Sequence, residues 1–115
     1  MSRGDIVYVQ LPNPASRPGH EQTGSRPALV VNSDARSGSQ LVAVIIPFTS
    51  KLQAQRFAHT LVIQPSPTNG LTVKSVLLVQ QLRAIDTQRI TTTLGRLDAQ
   101  TMSLVDAEMR SLLDL

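Results

Sequence analysis

The chain has 115 residues, no cysteine and a formal charge of +3, with 41% hydrophobic and 3% aromatic residues. A length of this order suits one domain that buries roughly two-thirds of its unfolded surface, too little for a core plus a separate cofactor domain. The missing cysteines exclude a disulfide scaffold, a thiolate metal site and a cysteine nucleophile. The apolar content excludes wholesale disorder, and with only Tyr8, Phe48 and Phe57 an aromatic base-stacking platform is not expected.

Asp5 to Leu11 is apolar and β-branched and stops at Pro12, which predicts a first strand. Pro12 to Ser25 carries three prolines, Gly19, Gly24, His20 and Glu21 and almost nothing apolar, so it reads as a long exposed loop of the kind that often holds function. Pro27 to Asn32 predicts a short second strand, Asn32 to Ser39 a turn, and Gln40 to Thr49 a third, nearly continuously apolar strand. His59 to Gln64 alternates as a fourth strand closed by Pro65-Ser66-Pro67, and Asn69-Gly70 is a turn pair. Ser75 to Gln81 reads as a fifth strand, and Arg83 to Ile90 continues extended or as a short turn. Met102, Val105, Met109, Leu112 and Leu113 then recur at helical spacing as one amphipathic stripe, with Asp98 placed to cap the helix. Five or six strands and a terminal helix give an α+β, mainly β fold: a small β-barrel-like domain over residues 1–115.

The amino terminus meets Asp5 before any apolar run, unlike a signal peptide. The longest apolar stretch, Leu41 to Phe48, falls far short of the roughly 20 residues a membrane helix needs. The expectation is a cytoplasmic protein with no membrane span, in which the Arg3-Gly4-Asp5 tripeptide is no adhesion signal.

Charge is unevenly spread. Residues 1–97 hold ten basic and four acidic groups, a net +6, whereas residues 98–115 set Arg110 against Asp98, Asp106, Glu108 and Asp114, a net −3. Nine of the 11 cations are arginine, the others being Lys51 and Lys74. A basic body suggests an anionic partner, and a guanidinium fork grips a phosphate bidentately where an ammonium does not.

The sequence contains no glycine-rich phosphate loop, no His-x-x-x-His pair, no acidic cluster at metal-ligand spacing and no nucleophile elbow. Chemistry without a metal or cofactor, built from arginine, hydroxyl and one histidine or carboxylate, is what remains. Two segments stand out: Gly19 to Pro27, where Arg26 is confined to extended geometry by the following proline, and Pro47-Phe48-Thr49-Ser50-Lys51, where two hydroxyls and a cation end the third strand. If the second and third strands pair antiparallel, Arg26 and Thr49 lie close in space. Each also has an ordinary reading, as a surface arginine and a turn-capping hydroxyl.

Arg3-Gly4-Asp5-Ile6-Val7, Gly19-His20-Glu21-Gln22, Arg26 to Val31, Pro47 to Ser50, Ser75 to Asp86, Arg89-Ile90 and the closing helix follow one another in an order and spacing that resemble the MazF/PemK family of toxin–antitoxin ribonucleases. The resemblance implies a homodimeric, SH3-like barrel with a C-terminal helix. It also implies metal-independent cleavage of single-stranded RNA at short motifs, leaving a 2′,3′-cyclic phosphate and a 5′-hydroxyl, and neutralisation by an acidic antitoxin. The family's catalytic arginine and threonine fall on Arg26 and Thr49. The loop histidine of PemK-like members falls on His20, with Glu21 as rival proton acceptor. The arginine and aspartate those members carry on the fifth strand are here Leu78 and Gln80, which favours a MazF-type site. Gln22, Ser50, Lys51, Arg56, His59, Gln80, Arg83 and Arg89 are the candidate RNA contacts, His59 being equally suited to a structural role. A non-catalytic toxin related to the gyrase poisons, or an inactive binding module of the same fold, would share the strands.

Overall fold

A computed structural model describes residues 1–12, 24–32 and 41–115. Seven strands are present among the described residues: β1 (Asp5–Leu11), β2 (Gly24–Val30), β3 (Val42–Thr49), β4 (Thr60–Ile63), β5 (Ser75–Leu78), β6 (Arg83–Asp86) and β7 (Ile90–Arg96). One helix, α1 (Ala99–Leu113), closes the chain. All pairings are antiparallel; the order is β4-β5-β3-β2-β1-β7, with β6 also on β3. β3 is the organising strand. On one edge it pairs with β2; on the other, Val42 to Ile45 pair with β6 while Phe48 and Thr49 pair with β5.

The continuous apolar runs have a simple cause: most of β3, with Ile6-Val7 of β1 and Ala28–Val30 of β2, is buried on both faces. Ile6, Leu29, Ile46 and Phe48 enter one cluster with Leu77, Val79, Leu97 and Val105, whereas Val7, Val9, Ala28, Val30, Ala43 and Ile45 enter another on the opposite face. Successive strand residues point to opposite sides, so a strand serving two cores must be apolar at every position. Two irregularities in the β1–β7 register, after Ile6 and after Tyr8, add local twist to a sheet that curls towards a barrel.

β7 has no counterpart in the sequence reading. Its threonines 91–93 are exposed, as suits an edge strand pairing only with β1. The fifth strand also ends earlier than its apolar pattern suggests. β5 stops at Leu78, and Val79–Gln81 forms a 3-10 turn that keeps Val79 buried but lifts Gln80 off the strand. The Asn69-Gly70 turn is present, with Gly70 at φ +73°. A Cβ on Gly70 would meet the Leu94 carbonyl oxygen at 2.2 Å, and one on Gly95 would meet that of Thr68 at 2.4 Å. Two glycines thus let the β4–β5 connection lie directly on β7, sealed by the Arg96 N–H donating to the Thr68 carbonyl at 2.9 Å.

α1 begins where expected. The Asp98 carboxylate accepts from the Thr101 N–H at 2.9 Å and from its hydroxyl at 2.7 Å, which satisfies one of the free amides of the first turn. Val105 is buried, with Met102, Met109 and Leu112 packed beside it, while Leu113 at the end of the stripe is half exposed. No helix among the described residues is long and apolar enough to cross a membrane.

Candidate active site

The β2–β3 ladder ends with Ala28 opposite Pro47, and continuing that register beyond the ladder directs Arg26 towards the end of β3, where Thr49 pairs with Val76 of β5. The hydrogen bonds bring Arg26 to Phe48, the residue before Thr49. Arg26 Nη1 donates to the carbonyl oxygen of Phe48 at 3.3 Å, and Thr49 Oγ1 accepts from the Lys51 N–H at 3.2 Å. Thr49 is a buried polar residue, 5% exposed, at the floor of a cleft. Partial burial lowers the Arg26 pKa from its ordinary value, opposed by the nearby Tyr8 hydroxyl; a guanidinium remains a cation under such a shift. Arg26 is thus a half-desolvated positive charge, which attracts an anion more strongly than a solvated one does.

The cleft has a volume of about 510 Å³ and lies between the β3–β4 connection and the β5–β6 turn. It gathers Thr49, Lys51, Arg56, His59 and Gln80 from the residues singled out in the sequence, and Leu78 with them. The 3-10 turn Leu52–Arg56 forms one wall. The Arg56 guanidinium stacks over the Phe57 ring at 5.0 Å, within the range of a cation–π contact. Ser50 is exposed beside Thr49. Arg26, on β2, Arg83, on β6 opposite Ile45, and Arg89, in the turn after β6, do not line this cleft. His20, Glu21 and Gln22 lie outside the described residues.

Two partners were not visible in the sequence. Phe57 lines the cleft, and its exposure after a polar stretch gives no periodic signal. Glu108 on α1 reaches His59, its Oε1 lying 2.9 Å from Nδ1; the two are 49 positions apart, and only the docking of α1 joins them. Among the described residues no three His, Asp or Glu side chains gather as a group that could hold a metal. What the site offers is a buried hydroxyl and two cations lining a cleft, with the Arg26 guanidinium at the neighbouring end of β3. That set suits stabilising a phosphate as negative charge builds on it.

Comparison with known proteins places the fold and the family. The family model for "PemK-like, MazF-like toxin of type II toxin-antitoxin system" matches residues 2–113. The chain is 31% identical over 110 residues to endoribonuclease EndoA of Bacillus subtilis, covering 96% of this chain and 91% of that protein. The crystal structure of MazF from Deinococcus radiodurans superposes with a TM-score of 0.79 at 28% identity, over 100% of this chain and 97% of that one. A MazE–MazF structure from the same organism matches with a TM-score of 0.72 at 26% identity, over 100% and 96% of the two chains.

Proposed function

This chain belongs to the family of PemK-like, MazF-like toxins of type II toxin–antitoxin systems, and from that premise we propose that it is an endoribonuclease cutting single-stranded RNA at short sequence motifs. The observation that carries the reading is the approach of the Arg26 guanidinium to the end of β3, where it donates to the carbonyl of Phe48, next to Thr49 in the cleft lining. Relatives named as endoribonucleases, EndoA among them, support it.

The chemistry follows from the groups present. The ribose 2′-hydroxyl attacks the adjacent phosphorus, the bond to the 5′ oxygen breaks, and the products carry a 2′,3′-cyclic phosphate and a 5′-hydroxyl. The nucleophile belongs to the substrate, so no water needs activating by a metal. Arg26 clamps the equatorial oxygens as charge accumulates, an electrostatic contribution of a few kcal/mol per donor. Thr49 positions the phosphate by a hydrogen bond, since a threonine hydroxyl hardly ionises. Lys51 and Arg56 hold the flanking backbone.

The partners in this reading are RNA and an acidic antitoxin, a pairing supported by the MazE–MazF structure. It places the protein in the cytoplasm, as a homodimer. Incubating it with a long single-stranded RNA in EDTA and mapping both product ends tests the proposal. We expect cuts at a recurring short motif with 5′-hydroxyl ends, abolished by Arg26→Ala. Intact RNA, or cleavage indifferent to Arg26→Ala, overturns it.

A further inference from the structure

His59 is fixed more firmly than a simple RNA contact requires. Its backbone sits at φ +57°, in the left-handed region that a residue with a Cβ occupies at a cost. Its carbonyl accepts from the Val79 N–H at 3.0 Å, and its Nδ1 lies 2.9 Å from Glu108 Oε1 on α1. Two different elements thus hold the backbone and the ring. With a carboxylate as its neighbour, Nδ1 carries the hydrogen and donates it. Nε2 is then the nitrogen left with a lone pair.

The ring lines the same cleft as Thr49 and is shielded, its side chain 23% exposed. The charged groups around it are Glu108 on α1 and the cleft cations Lys51 and Arg56, from which only donation is possible. Gln80 and Gln81 on the facing turn are neutral. Among the described residues that line the cleft, His59 is therefore the side chain suited to take up a proton.

We infer that His59 Nε2 is the proton acceptor of the cleft and that Glu108 holds it in the required tautomer and orientation. The inference rests on the RNA-cleaving reading above. As the 2′ oxygen bonds to phosphorus and the phosphorus–5′ oxygen bond breaks, the 2′ proton passes to Nε2, and the departing 5′ oxygen takes a proton from water. The imidazolium then returns its proton to solvent. A carboxylate on one ring nitrogen orienting the other as base is the division of labour of the Ser-His-Asp triad. Here Glu108 is a positioning residue and His59 the catalytic one.

The test uses full-length protein and a short RNA carrying the motif it cuts. His59→Asn keeps a side chain tolerated at positive φ and able to donate to Glu108, but has no basic nitrogen. It should lower kcat by roughly 10²-fold or more with little change in KM. His59→Gly suits the same φ, should lose as much, and should recover on addition of imidazole. Glu108→Gln should lose less, and nothing further when combined with His59→Asn. A substrate with sulfur at the bridging 5′ position, whose leaving group needs no proton, should leave the His59→Asn defect in place.

Restored cleavage of that substrate would make His59 an acid and overturn the assignment. So would an unchanged kcat, a loss confined to KM, or no rescue by imidazole. Wild-type protein that spares RNA, or cuts it equally after Arg26→Ala, overturns the cleavage reading and this inference together. Cleavage that depends on Arg26 but not on His59 overturns this inference alone.

Discussion

Where β1, β7 and α1 meet, arginines are matched to carboxylates: Arg3 to Asp106, and Arg96 to Asp5 at 2.7 Å. Around the cleft, Lys51 and Arg56 have no carboxylate within ion-pair range among the described residues. One residue type therefore serves two ends. A matched pair on a surface ties termini to strands for less than about 1 kcal/mol. Unmatched cations lining a concave site raise its potential and draw in an anion. The Arg3-Gly4-Asp5 tripeptide belongs wholly to the first region: both charges are paired within the chain, and Gly4 at φ +98° is buried with its N–H donating to the Val30 carbonyl at 2.8 Å. The His59–Glu108 pair bridges the two regions, since Glu108 rides on the acidic helix and His59 faces the cleft.

The strongest way to separate the regions is to keep the charge and change its shape. Arg26→Lys preserves the cation but loses the planar fork. Cleavage should fall by about 10²-fold in kcat/KM, while the melting temperature moves little because a lysine keeps the charge and most of the aliphatic stem. Full activity in Arg26→Lys would mean that the cleft needs only a positive charge.

How far this division was legible in the sequence depends on the range of each signal. The approach of Arg26 to the end of β3 was legible because β2 and β3 pair antiparallel, which brings the start of one strand beside the end of the other. The capping of α1 by Asp98 and the Met102–Val105–Met109 stripe were legible because both are contained within a few turns. β7 was not: its exposed threonines show no alternation, and its partner β1 lies at the other end of the chain. The turn at Gln80 was masked by Val79, whose burial continues the apolar run of β5. Glu108 was hidden for a similar reason, because a helix stripe announces which residues go inward but not which strand end the flank will touch.

Weaker effects sharpen the same contrast. Lys51→Ala removes one exposed cleft cation. Binding of an RNA blocked by a 2′-deoxy sugar at the cut site should become less salt-dependent, the slope of log K against log salt shrinking by about 0.7. Arg3→Ala should leave both that slope and the cleavage rate unchanged. Its cost, read by urea denaturation, should stay below about 1 kcal/mol, because both side chains of the pair are about a third exposed.

The smallest expected effect concerns a charge that belongs to folding alone. Hydrogen bonds from the Thr101 side chain, and then from its backbone, hold the Asp98 pKa below the ordinary carboxylate value. A carboxylate more acidic in the folded state favours folding when ionised. Its contribution is therefore complete above the unfolded-state pKa and disappears as pH falls through the lower folded-state value. Asp98→Asn keeps an oxygen that can cap the helix but removes the charge, so its melting temperature should lie slightly below wild type at neutral pH. The difference should close in strong acid, where wild type is protonated as well. RNA cleavage should not follow this change, since Asp98 is absent from the cleft lining. If Asp98→Asn altered cleavage without altering melting, the acidic helix would be taking part in RNA recognition, and matched and unmatched charges could no longer be assigned to separate ends of the molecule.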